Sequence, residues 1–184
     1  MGLKDALNTF RHSENFWVSL LRDIFVVFLA VAIFATFSQI VFGMWTPMVA
    51  VESESMEPNI HVGDVIFVED IDRTQIQTHK ASNDYTSFGN RGDVILYQPY
   101  GKDSVTPVIH RAMYFVEEGE PMWNDGPHAT YSGYITKGDN PKTNTHFDQQ
   151  GSISYQRPVK DEWIIGVARY RIPYIGYLRL IVPG

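Results

Sequence analysis

The sequence predicts a mainly β domain carried behind a single N-terminal membrane-spanning helix. Three observations lead there. The 22 residues Ile24–Trp45 contain no charge. The chain after them breaks into short apolar runs separated by turn residues, the pattern of a β-rich domain. The hydrophobic share of 44% excludes wholesale disorder, and 184 residues suffice for one domain plus an appendage.

Taken in order, residues 1–23 read as a cytoplasmic segment, 24–45 as the transmembrane helix and 46–184 as an extracytoplasmic β-rich domain. As a helix, Ile24–Trp45 would be about 33 Å long, against a hydrocarbon core of about 30 Å. A buried core helix would carry a polar stripe, whereas only Thr36, Ser38 and Gln39 are markedly polar here. A cleaved leader would have a shorter apolar core and an Ala-x-Ala-like site, which is missing after Trp45. Lys4, Arg11 and Arg22 precede the span, and the next base is Arg73. Positive residues stay inside, so the N-terminus is expected in the cytoplasm and everything after Trp45 outside.

Strand-like runs follow at VIFVE (65–69), DVILYQ (93–98), VIHRAMYFV (108–116), GYITKG (133–138) and EWIIGVARYRI (162–172). Gly63-Asp64, Gly92-Asp93 and Gly138-Asp139 edge three of them, each readable as a plain tight turn. Thr74–Arg91 and Glu117–Ser132 read as loops. The C-terminal PYIGYLRLIVPG is apolar but too short to span a bilayer, and packs on the domain or lies at the membrane surface.

Composition removes several functions. The absence of cysteine excludes disulfides, a thiolate zinc site and a cysteine nucleophile. The net charge of −6 falls wholly after Trp45, and argues against nucleic acid as a partner. No histidine pair has i, i+4 spacing, so neither a metal nor a cofactor is expected. His61, His79, His128 and His146 read as structural or loop residues.

What remains is a serine chemistry. VESESMEP (51–58) follows the span within about ten residues, His110 lies in an apolar run, and Asp139 and Asp148 flank the loop KGDNPKTNTHFDQQG. Serine needs a base within hydrogen-bond reach, and an acid that orients the base. Six histidines make such triples common by chance, so spacing alone does not decide.

The surrounding blocks do. Ser53-Glu54-Ser55-Met56-Glu57-Pro58 just outside a single span resembles the type I signal peptidases. RGDVILYQP (91–99), VIHRAM (108–113), YITKGDN (134–140) and GVARYRIPYIGYLRL (166–180) are similar to that family's later blocks in the same order. Histidine rather than lysine before Arg111 resembles the archaeal and endoplasmic-reticulum subgroup. The resemblance implies Ser55 as nucleophile, His110 as general base and the Ser53 hydroxyl as an oxyanion donor. Asp148 and Asp139 both match family aspartates. Asp148 is favoured as the acid that orients His110, with Asp139 bracing the loop. Many members carry glycine where this chain has Glu54. Met56 is expected to line a pocket or touch the membrane.

The implied activity is that of a membrane-bound serine endopeptidase cleaving signal peptides from secreted precursors after small residues at −1 and −3. Its partners would be those signal peptides, the lipid bilayer and the secretion translocon. Its place would be the cell membrane, or the endoplasmic-reticulum membrane if eukaryotic. The alternatives are a single-pass β-rich binding or scaffold module without catalysis, and a related protease for specialised precursors.

Overall fold

The computed structural model describes residues 15–177. Lys4, Asp5, Arg11 and Glu14, and the C-terminal segment beyond Tyr177, lie outside the described residues. The chain divides into two compact units at Trp45/Thr46.

The first unit holds helix α1, Phe16–Phe42. It begins eight residues before the uncharged run because Asn15 caps it, its side chain accepting from Trp17 N–H at 3.0 Å. It ends where Gly43 takes the left-handed conformation (φ 77°) and donates its N–H to Gln39 O. At about 40 Å, α1 is long and apolar enough to cross a membrane. Ile24, Phe25, Val26, Val27 and Phe28 are all exposed, so apolar side chains face outward in every direction around the axis. Water would penalise such a surface and hydrocarbon would not.

The second unit is built on a six-stranded antiparallel sheet. Its strands are β1 (Met48–Ala50), β2 (Val65–Glu69), β5 (Val94–Tyr97), β6 (Val108–Val116), β7 (Gly133–Lys137) and β8 (Ile164–Ile172). They lie in the order β1-β2-β8-β5-β6-β7. The last strand is thus inserted between β2 and β5 and joins the two ends of the domain. A small hairpin, β3 (Thr86–Ser87) with β4 (Asn90–Arg91), occupies part of the expected loop 74–91. The segment 117–132 forms no strand beyond a single Pro121–His128 bridge.

Burial alternates along β2, whereas all four residues of β5 are buried. Ile95, Tyr97, Ala112, Val159, Ile164 and Val167 form the main core cluster. Val116, Met122, Ala129 and Ile135 form a second at the β6–β7 end. Each fully buried aliphatic side chain stabilises the domain by about 1.5–3 kcal/mol.

The three Gly-Asp pairs are more than tight turns. Asp64 accepts from His61 N–H and from Tyr174 N–H far along the chain. Asp93 accepts from Gln77 N–H and Tyr85 Oη, and pairs with Arg169 on β8. Each of these two aspartates therefore ties the start of an inner strand to a distant segment. The glycines before the first two have φ of 84° and 77°, which only glycine takes without strain.

Candidate active site

The serine motif lies on the loop between β1 and β2. Val51 N–H to Asp64 O and Gly63 N–H to Val51 O, both 2.9 Å, close its base. Asn59 and Ile60 each donate an N–H to Met56 O at 3.0 Å, which winds residues 56–60 into a turn. Met56 is wholly buried and does not line the cleft, so the expectation of a pocket or membrane contact is corrected: its side chain is packed inside the domain. Ser53 Oγ and Ser55 Oγ stand 3.1 Å apart at the surface. Glu54 is not among the residues with positive φ, so the side chain that replaces glycine there costs the backbone no strain.

The block 138–140 clamps this loop from the opposite side. Asn140 Nδ2 donates to Glu54 O at 2.8 Å, and Asn140 N–H donates to Ser55 O at 2.9 Å. A Cβ on Gly138 would stand 2.5 Å from Ser55 O, so the approach needs glycine. Asp139 takes a third partner, Asn59 Nδ2 at 2.7 Å, on the turn that follows the serine.

Asp139 also pairs with Arg111. The guanidinium reaches its carboxylate through Nε at 2.8 Å and Nη2 at 2.5 Å. The arginine is entirely inaccessible to water. Its remaining Nη1 donors go to Gly92 O at 2.6 Å and Ser87 O at 2.9 Å. The Arg111–Asp139 pair therefore holds β6 to the serine turn through Asp139 and to the β3–β4 hairpin through Arg111, and Asp139 makes no bond to His110.

His110 and Arg111 are neighbours on β6, so their side chains leave opposite faces of the strand. On the His110 face, Ile95 of β5 stands opposite His110, and Tyr97 is two residues further along. Ala112 stands opposite Thr136 of β7. The register thus places Tyr97, His110 and Thr136 on one face of three adjacent strands. The loop after β7 returns Asp148 into the middle of them. Its N–H bonds to Thr136 O at 2.9 Å.

His110 Nδ1 lies 2.7 Å from Asp148 Oδ2, and both side chains are almost completely buried. Tyr97 Oη donates to the same oxygen at 2.9 Å and Thr136 Oγ1 at 2.6 Å. Burial by itself would raise the Asp148 carboxyl. The His110 charge and the hydrogen bonds from His110, Thr136 and Tyr97 outweigh it, so its pKa lies below the ordinary carboxylate value. Burial, and then the neighbouring Asp148 charge, push the Tyr97 phenol well above its usual value, so it stays a donor. An imidazole that donates Nδ1–H to a buried carboxylate keeps its Nε2 lone pair for a proton.

Ser53, Ser55 and His110 line one cleft of about 1010 Å³, walled by apolar residues that include Ala50, Leu96, Val108 and Ile153. Among the described residues no hydrogen bond joins Ser55 to His110; both line the cleft. Among the described residues no three His, Asp or Glu side chains gather as a metal ion would require. His61 pairs with Asp64 at 3.8 Å, and His128 Nδ1 bonds Gly119 O, both away from the cleft. Burial and then the Arg91 and Arg111 charges hold the His79 imidazole below its usual value.

Sequence reasoning overlooked Tyr97, Arg111, Thr136, Asn140 and Gln149. For Tyr97, Arg111 and Thr136 the signal is a relation between strands, and for Asn140 and Gln149 it is the return of the loop after β7; neither shows in residue spacing.

A family model described as "Signal peptidase, peptidase S26" matches residues 20–113. The chain is 29% identical over 139 residues to the signal peptidase complex catalytic subunit sec11 of Schizosaccharomyces pombe, covering 73% of this chain and 66% of that one. It is 26% identical over 141 residues to the signal peptidase complex catalytic subunit SEC11C of Homo sapiens, covering 76% and 59%. The signal peptidase complex catalytic subunit SEC11 of Komagataella phaffii is 26% identical over 137 residues, covering 74% of this chain and 67% of that one. The chain thus spans about two thirds or less of the length of the first two relatives. The matched region runs from within α1 through the serine loop and β6 to just past the histidine, and on that ground the chain belongs to the signal peptidase family, peptidase S26.

Proposed function

We propose that the chain is a membrane-bound serine endopeptidase that removes N-terminal signal peptides from secreted precursors, cutting after small residues at −1 and −3. The single observation behind this reading is the His110 Nδ1–Asp148 Oδ2 bond of 2.7 Å beside a cleft that also holds Ser55. The names of the relatives, catalytic subunits of signal peptidase complexes, support the substrate class.

In this reading Ser55 Oγ attacks the scissile carbonyl carbon while its proton passes to His110 Nε2. The carbonyl oxygen becomes an oxyanion. Ser55 N–H, which bonds no other group among the described residues, and the Ser53 hydroxyl are its donors. The imidazolium then protonates the leaving amine, the C–N bond breaks, and an acyl-Ser55 ester remains. Water hydrolyses the ester with the same imidazole as base. Asp148 stays ionised throughout and holds the tautomer. Asp139 is the brace and takes no part in proton transfer. The substrate lies extended in the cleft, its small side chains against the apolar wall.

Residues 1–23 are cytoplasmic in this reading, 24–45 cross the bilayer, and 46–184 work outside, where precursors leave the secretion translocon. The bases Lys4, Arg11 and Arg22, and the long gap before Arg73, support that orientation. Protease added to right-side-out vesicles is expected to cut within 74–91; cutting only after the membrane is opened would reverse the topology.

The test is cleavage of a precursor bearing an Ala-x-Ala site by the detergent-solubilised full chain. Ser55→Ala is expected to leave no activity and Ser53→Ala to slow it about 100-fold or more. Full activity in Ser55→Ala would end this reading.

A further inference from the structure

We propose that Tyr97 and Thr136 are positioning residues that weaken the grip of Asp148 on the His110 imidazole by competing for the same carboxylate oxygen. This rests on the roles given above to Ser55, His110 and Asp148. Three donors converge on Asp148 Oδ2: His110 Nδ1 at 2.7 Å, Thr136 Oγ1 at 2.6 Å and Tyr97 Oη at 2.9 Å. A carboxylate that already accepts two hydrogen bonds is a weaker partner for the third.

The direction of each bond is determined by what lies behind it. Thr136 N–H donates to Gln149 Oε1 at 3.0 Å, which turns the Gln149 amide so that Nε2 faces Thr136 Oγ1 at 3.2 Å. An amide nitrogen only donates. The Thr136 oxygen therefore accepts from Gln149, and its single hydrogen goes to Asp148 Oδ2 at 2.6 Å rather than to Tyr97 Oη at 3.4 Å. Gln149, Thr136 and Tyr97 are all fully buried, so water cannot take over any of these bonds. A phenylalanine would fill the Tyr97 site equally well. The buried phenol needs an acceptor for its hydrogen, and Asp148 Oδ2 at 2.9 Å supplies it, with Thr136 Oγ1 further off at 3.4 Å.

The charged and titratable groups facing His110 are few. Asp148 comes from the loop after β7 and Tyr97 from β5; Glu52 and Glu54 line the same cleft. Arg111, Asp139 and Lys137 lie toward the opposite face of β6. Removing the Tyr97 or Thr136 hydroxyl takes a positive dipole end away from Asp148. The carboxylate then holds the imidazolium more strongly, and His110 retains its proton to higher pH.

The experiment titrates the His110 ring by NMR in the full chain carrying Ser55→Ala, with and without Tyr97→Phe or Thr136→Val. Alongside it, the acidic limb of kcat/KM is measured in the Ser55 protein. Both midpoints are expected to rise by about half a pH unit or more in each variant, and Thr136→Ser is expected to restore the wild-type values. A midpoint that stays put or falls overturns the proposal. Thr136→Val gives the same answer should Tyr97→Phe not fold. The NMR arm reads the carboxylate–imidazole coupling without turnover. A chain that cleaves nothing yet shows the rise therefore fails the peptidase reading alone, whereas one that cleaves but shows no rise fails this one alone.

Discussion

Replacing Asp139 with Asn separates bracing from catalysis. The substitution leaves the Arg111 guanidinium wholly buried and without its counter-charge, because the arginine has no exposure and the Asp139 side chain only 4%. Removing one partner of a buried ion pair costs about 3–5 kcal/mol. The lower end applies here, since Nη1 keeps the carbonyls of Gly92 and Ser87 and an Asn oxygen can still accept one bond. A loss of about 3 kcal/mol is a large part of the 5–15 kcal/mol typical of a whole domain, and for a domain of this size lowers Tm by about 6–12 °C. Asp148→Asn has the converse profile. The amide can still accept from Thr136 or Tyr97, but it no longer stabilises the imidazolium or selects the right tautomer, and kcat is expected to fall about 10⁴-fold. The assay is thermal unfolding by tryptophan fluorescence of the full chain in detergent, beside the cleavage rate per folded molecule at a temperature where both variants are native. An Asp139→Asn protein as stable as wild type but inactive, beside a nearly active Asp148→Asn, would refute this division and make Asp139 the acid.

Two further outcomes follow from the same geometry. Gly138→Ala would drive a methyl to within 2.5 Å of Ser55 O and of the Asn144 side chain; it is expected to cost about 1–3 kcal/mol and to lower the cleavage rate more than tenfold by pushing the serine loop away, measured as Tm and rate together. In acid, the depressed Asp148 carboxyl contributes stability that is complete above the unfolded aspartate value of about 3.9 and disappears as pH falls through the lower folded value. Wild type should therefore lose more Tm than Asp148→Asn as pH goes from about 5 to 3, and parallel curves would show that the carboxylate is not held in this way.

The apolar helix is legible from the residues alone, because a charge-free run shows in composition, and so is most of the sheet. VIFVE at 65–69 and VIHRAMYFV at 108–116 are strands over those very residues, since local alternation and flanking turns mark a strand wherever its partner lies. The sequence also singled out Ser55, His110 and Asp148 as residue types in a recognisable order. It left β1 and the β3–β4 hairpin unread, being three and two residues long with no pattern to repeat. Which aspartate meets the histidine depends on packing. Asp139 and Asp148 lie on one loop, but strand alternation sends His110 and Arg111 to opposite faces of β6, and each aspartate follows its own partner. Tyr97, Thr136 and Gln149 gather around Asp148 only when β5, β6 and β7 are laid side by side in register and the loop after β7 folds back on them, because the contacts to Asp148 span up to 51 positions of chain. Local spacing carries no trace of such contacts; packing creates them.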